Sequence, residues 1–241
     1  MNLELLRVAT GGASGNEIAV LAYEARRPRG VTIVAGHGYS SSKHNLDSLC
    51  AFLASHGFGV YSLDFPGHKL GASGGYLGSV GDLIDAVRAV IALARERGAQ
   101  IVYTLGHSMG AATALCAAGA DPSIVGAVSI ATGYGRPQAL QAFAGRGTVD
   151  LRSTYVDGCT LPEIADQWGA KLDEALPKLA GRPTFFIAAE RDAMVTRASV
   201  QDLFDRAPDP KTFATVASDH TFAGENSRSA VLDWLSERHP R

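Results

Sequence analysis

The apolar residues of this chain change period as the sequence proceeds. Short runs rich in Val, Ile, Thr and aromatics occupy residues 31–35, 60–64, 101–105, 125–131, 184–189 and 212–216. Each has the length of a strand. Between them, apolar positions recur every three or four residues, as one face of a helix requires. Leu46, Leu49, Cys50 and Leu53 mark a helix over 46–55. Leu83, Ile84, Val87, Val90, Ile91 and Ala94 mark a longer one over 79–97. Further helices are predicted over 108–118, 197–206 and 226–237. Upstream, residues 3–8 and 17–23 read as two strands joined by the turn-rich loop Thr10-Gly11-Gly12-Ala13-Ser14-Gly15-Asn16. They suit an antiparallel entry to a larger sheet. Strand–helix alternation predicts an α/β fold, with a mostly parallel sheet covered by helices on both faces. Residues 132–182 break the rhythm, with scattered Gly and Pro and no convincing strand. They are expected to form a small lid inserted between two core segments, 1–131 and 183–241.

Composition narrows the function classes. The net charge is -2, from 22 Lys and Arg against 24 Asp and Glu. That balance lacks the basic excess of a nucleic-acid binder. No stretch approaches the roughly 18 apolar residues of a membrane span, and the polar start, Met1 to Arg7, does not read as a secretory leader. Cys50, Cys116 and Cys159 are far apart with no C-x-x-C pair, so no metal site is expected, and Cys50 and Cys116 read as small core residues. A cytoplasmic protein is expected, since a sparse, odd cysteine count suits a reducing compartment.

The chemistry is carried by Gly106-His107-Ser108-Met109-Gly110. This G-x-S-x-G run follows a predicted strand and opens a predicted helix, the context in which a serine is presented on a sharp turn above a sheet. A hydroxyl is a weak nucleophile until a base takes its proton, and the base needs an acid to orient it. Only His220 and His239 follow Ser108. His239 lies in the terminal Glu237-Arg238-His239-Pro240-Arg241 tail and is expected to fray. His220 stands in a loop between a predicted strand and the last helix and is the expected base. Asp192 follows the strand at 184–189, at the edge where catalytic groups collect in parallel sheets, and is the expected acid. Glu190 is its nearest rival. Asp166 and Asp173 fall in the insertion, and Asp219 adjoins the base but would point elsewhere in an extended segment. A developing oxyanion needs donors. The backbone N–H groups of Met109 and Tyr39 are the expected pair, with Gly38 allowing close approach. His37 has two readings, a packed loop histidine bonding nearby backbone or a catalytic group.

With Gly36-His37-Gly38, Asp64-Phe65-Pro66-Gly67-His68, Gly71-Ala72-Ser73-Gly74, the elbow at 106–110, Asp192 and Asp219-His220, the sequence resembles the α/β-hydrolase superfamily. Within it, the likeness is to the lysophospholipase-, monoacylglycerol-lipase- and serine-aminopeptidase-like branch. The resemblance runs from about residue 15 to the C-terminus, apart from the insertion. It implies attack by Ser108, an acyl-enzyme, water activated by His220, and neither metal nor cofactor. It also implies a lid where the pattern breaks. Ala111 and Lys69 stand where relatives often carry Gly.

The resemblance specifies a reaction class rather than a substrate. A carboxylesterase for short or medium acyl esters is the first expectation, because the insertion has few apolar residues for a long-chain lipase. The partner is then a small acyl substrate. A thioesterase, an amidase or a carbon–carbon hydrolase would use the same triad, and a ligand receptor on this fold is the reading from another class. The insertion carries Tyr134, Phe143, Tyr155 and Trp168 with Arg136, Arg146 and Arg152. Its aromatics are expected to pack the lid down and its arginines to be solvated; the sharper reading puts Phe143 or Tyr155 in an acyl pocket. Oligomeric state is left open.

Overall fold

The computed structural model describes residues 1–11, 15–134 and 148–241, with side chains from 151 onward in the last stretch. Eight strands form one sheet in the order β1-β2-β4-β3-β5-β6-β7-β8. They are β1 (Asn2–Ala9), β2 (Glu17–Glu24), β3 (Val31–Gly36), β4 (Gly59–Leu63), β5 (Ile101–His107), β6 (Gly126–Ile130), β7 (Thr184–Ala189) and β8 (Lys211–Val216). β2 runs antiparallel to both β1 and β4; the pairs from β4 through β8 are all parallel. The expected α/β architecture is therefore present, antiparallel entry included.

The inner strands are buried at almost every position because both of their faces are covered. Val34, Val102, Ala127, Phe186 and Ala188 point into one apolar layer. Their neighbours Ile33, Tyr103, Leu105, Val128 and Ile187 point into the other. The first layer is roofed by α2 (Val80–Glu96), α3 (Met109–Ala120), α5 (Leu161–Ala175) and α6 (Arg197–Arg206); the second by α1 (Asp47–Ser55) and α8 (Arg228–Arg238). Two short α-helices, α4 (Thr148–Ser153) and α7 (Ala223–Asn226), and two 3-10 turns, Lys43–Leu46 and Leu176–Leu179, complete the set among the described residues. α3 is buried almost all round, and its small residues let α2 and α5 approach it closely. No described helix is long and apolar enough to cross a membrane.

The insertion expected over 132–182 has a different character in its second half. α5 presents Ile164, Ala165, Trp168 and Leu172 to the same apolar layer as α2 and α3, so it is a core helix. The sequence holds a start signal for it that the expected lid left unused: Thr160 and Glu163 form a reciprocal capping box, and Pro162 sits in the first turn. The chain before it is tied to the loop after β4 by short bridges, His68 with Val156 and Leu77 with Gly158. The C-terminal tail also departs from expectation. His239 is packed edge-on against Tyr103, and its Nε2 lies 2.9 Å from the Tyr103 hydroxyl, so it does not fray.

Candidate active site

Parallel strands place the loops after β3, β5, β7 and β8 along one edge of the sheet, where groups distant in sequence converge. β5 turns into α3 through Ser108, a non-glycine residue held at φ +55° and ψ -118°. Such a conformation is strained and persists only where its surroundings enforce it. Here the enforcement is close packing without side chains. A Cβ on Gly106 would stand 2.0 Å from the Gly110 carbonyl oxygen, and one on Gly110 would stand 2.2 Å from that of Gly36. The N–H of Ser108 donates to Ile130 O at 2.8 Å, which fixes the turn to the neighbouring strand.

The structure brings Ser108, Asp192 and His220 together. His220 Nε2 lies 3.1 Å from Ser108 Oγ. His220 Nδ1 lies 2.7 Å from Asp192 Oδ2. A proton on Nδ1 leaves Nε2 free to accept from the serine. The other carboxylate oxygen of Asp192 accepts the N–H groups of Met194 and Val195, both at 2.8 Å. All three side chains are buried or nearly so. The rivals are elsewhere. Glu190 is exposed, and Asp219 accepts the N–H of Phe222 at 3.1 Å.

The loop after β3 comes up against the nucleophile: a Cβ on Gly38 would lie 3.4 Å from that of Ser108. No group among the described residues accepts the N–H of Tyr39 or of Met109. Met109 opens α3, where unpaired N–H groups and the helix dipole favour a negative charge. His37 resolves as the loop histidine that bonds backbone. Its Nε2 accepts the N–H of Phe65 at 3.0 Å, so its Nδ1 carries the proton and donates to Gly38 O at 2.7 Å. Because the peptide is planar and trans, holding the carbonyl of Gly38 also aims the N–H of Tyr39. Burial, aided by His68 nearby, pushes the His37 imidazole down to about 3, so it stays neutral in this role.

Two features escaped the sequence reading. His107, the variable residue before the nucleophile, donates from Nε2 to the carbonyl of His220 at 2.8 Å, and its ring lies 4.8 Å from that of His220. Nothing in a G-x-S-x-G pattern asks for histidine there. Beneath the loop, Lys43 and Asp64 form a buried ion pair at 2.6 Å. Burial raises the Asp64 carboxyl, but bonds from the Lys43 ammonium and the N–H groups of Lys43 and Ala72 outweigh it and hold the group below the usual carboxylate range. Lysine is rarely buried unless paired, and nothing in the local sequence marks Lys43 as an exception.

These groups open on a cleft of about 440 Å³, within the range of small-molecule sites. Leu70, Leu151, Tyr155 and Met194 line it, with Ser108 and His220 at its floor. Trp168 packs in the core instead, and Tyr134 donates to Asp173 at 2.7 Å. Phe143, Arg136 and Arg146 lie outside the described residues. Among the described residues no group of three His, Cys, Asp or Glu side chains could hold a metal ion.

The family model described as serine aminopeptidase, S33, matches residues 26–168. The chain belongs to this α/β-hydrolase family. The hydrolase has the fold of several solved structures. An α/β hydrolase from Penicillium sp. superposes with a TM-score of 0.75 at 16% identity, covering 99% of each chain. An esterase from Pyrococcus furiosus gives 0.74 at 20% identity over 98% of this chain and 92% of that one. An esterase domain from Rhodothermus marinus gives 0.69 at 19% identity over 99% and 98%. No curated protein matches the hydrolase in sequence.

Proposed function

We propose that the protein is a serine carboxylesterase for short to medium acyl esters. The observation that carries this is the run of two hydrogen bonds from Asp192 through His220 to Ser108, opening on a cleft. In this reading His220 Nε2 takes the proton of Ser108 Oγ as the oxygen attacks the ester carbonyl. The N–H groups of Tyr39 and Met109 hold the resulting oxyanion. His220 returns the proton to the departing alcohol, leaving an acyl-serine. A water, deprotonated by His220, then releases the acid and restores the enzyme. Asp192 keeps the imidazole in the required tautomer throughout. The ester class is placed first because two of the structures sharing the fold are named esterases; a thioesterase domain shares the fold as well, and the thioester and amide readings use the same triad.

Hydrolysis of p-nitrophenyl esters from acetyl to palmitoyl tests it. Wild type is expected to turn over the shorter members, and Ser108→Ala to lose at least about a thousandfold in kcat. A folded wild type inert across the series, or a Ser108→Ala variant of equal activity, would overturn the reading.

A further inference from the structure

The cleft over Ser108 is lined by apolar and neutral polar side chains with one fixed charge among the described residues, the guanidinium of Arg152. Arg152 stands at the end of α4 and is exposed. Several other arginines are engaged, and Arg26, Arg27 and Arg197, which like Arg152 have no side-chain partner among the described residues, do not line this cleft. Arg7, Arg95, Arg97 and Arg206 each hold a carboxylate, and Arg29 and Arg182 hold backbone carbonyls. Arg152 has no side-chain partner among the described residues. The sequence just before it is cationic as well. Residues 135–153 contain Arg136, Arg146 and Arg152 against a single acid, Asp150. The acids that follow are spent, Asp157 on Lys69 at 2.8 Å and Glu163 on the capping of α5. Asp192 lies under His220 with both oxygens bonded.

A free guanidinium in a half-enclosed cleft is a planar fork that matches a carboxylate or a phosphate with two parallel bonds. Leu70, Leu151 and Tyr155 line the same cleft but are 55%, 64% and 42% exposed, so solvent screens the pairing in part. From this we propose that Arg152 is a specificity residue, and that the substrate is an ester carrying an anionic group, carboxylate or phosphate, away from the scissile bond. The inference rests on the esterase reading above and names its substrate class. Arg152 takes no part in the chemical step; it holds the anion while Ser108 and His220 act.

Matched ester pairs test it. With the anion in the acyl part, p-nitrophenyl hemiglutarate is compared with p-nitrophenyl hexanoate. With the anion in the alcohol part, the butyrate ester of ethylene glycol monophosphate is compared with 2-methoxyethyl butyrate, followed by acid release. At least one anionic member is expected to be preferred about tenfold in kcat/KM, mainly through KM. The pair showing the preference identifies the ionic group and its side of the ester. The ratio is expected to fall towards one in Arg152→Met, to survive in part in Arg152→Lys, and to shrink as salt is added. Ratios within about twofold for both pairs in wild type, or a preference that persists in Arg152→Met, would overturn the inference. Binding to Ser108→Ala, measured by calorimetry with the intact anionic esters, provides a readout that needs no turnover. Binding lost in Ser108→Ala/Arg152→Met supports the anion site; no binding of either ester to Ser108→Ala overturns it. Absence of turnover on every ester with anion binding intact would fail the esterase reading alone.

Discussion

In the proposed mechanism Asp192 and His37 each act through another group, and their bonds predict different losses. Asp192 selects the tautomer of His220 by accepting from Nδ1. Asp192→Asn supplies an amide at that place and favours the wrong tautomer, so kcat is expected to fall by about a thousandfold or more with little change in KM. His37 holds the Gly38–Tyr39 peptide rather than the substrate. His37→Leu keeps the bulk and removes both bonds, leaving the N–H of Phe65 buried and unpaired. A loss of about tenfold to a hundredfold in kcat is expected, with KM nearly constant, because the oxyanion donor is displaced while the cleft is not. Equal losses in stability without a change in kcat would show that His37 only packs the loop. The G-x-S-x-G run pointed to Ser108 from sequence because its residue types are constrained by a local turn. The roles of His37 and His107 were not legible, since each depends on which carbonyl lies opposite, a matter of tertiary geometry.

At the scale of the element, the strand–turn–helix of β5, Ser108 and α3 is a unit whose tolerance is set by backbone contacts. Gly106 faces the Gly110 carbonyl, and Gly110 faces that of Gly36 on the neighbouring strand. Neither contact can be relieved by a side chain moving aside. Gly106→Ala and Gly110→Ala are therefore expected to cost about 3 kcal/mol or more, measured by urea unfolding. A loss under about 1 kcal/mol would mean that the elbow can relax. Elements with one dominant period were legible: β3, β5, β7 and α2 fall close to where the apolar pattern predicts them. α5 was missed although Leu161, Ile164, Trp168 and Leu172 repeat at helical spacing behind a capping box. Its neighbours lack any rhythm, and the stretch was read as a whole.

For the whole molecule, burial of neutral histidines sets how the protein meets acid. His37 is pushed down to about 3 and His68 to about 4, in both cases chiefly by burial. Unfolded histidine takes up its proton near 6.5. Below that pH the unfolded chain binds protons that the fold refuses. The stabilisation is therefore complete above about 6.5 and is lost as pH falls toward 4. Each group adds a slope approaching ~1.4 kcal/mol per pH unit inside that window. The urea midpoint is expected to be level from pH 8 to 7 and to drop between pH 6 and 4. His68→Phe should remove about half of the drop attributable to the two rings. A midpoint level down to pH 4 would refute both histidines as the source.

By itself the sequence determined the α/β class, the parallel core strands and the order Ser108, Asp192, His220 along the chain. These rest on local causes: periodic burial, turn chemistry and the position of each residue just past a strand. Only the tertiary structure decided that the three side chains share hydrogen bonds, because residues 108, 192 and 220 are brought together by strands pairing side by side. It also decided that α5 belongs to the core, that Lys43 is buried against Asp64, and that Arg152 faces the cleft without a partner among the described residues. Burial and pairing of a charge depend on what the rest of the chain places around it, and a linear pattern of residue types carries no record of that.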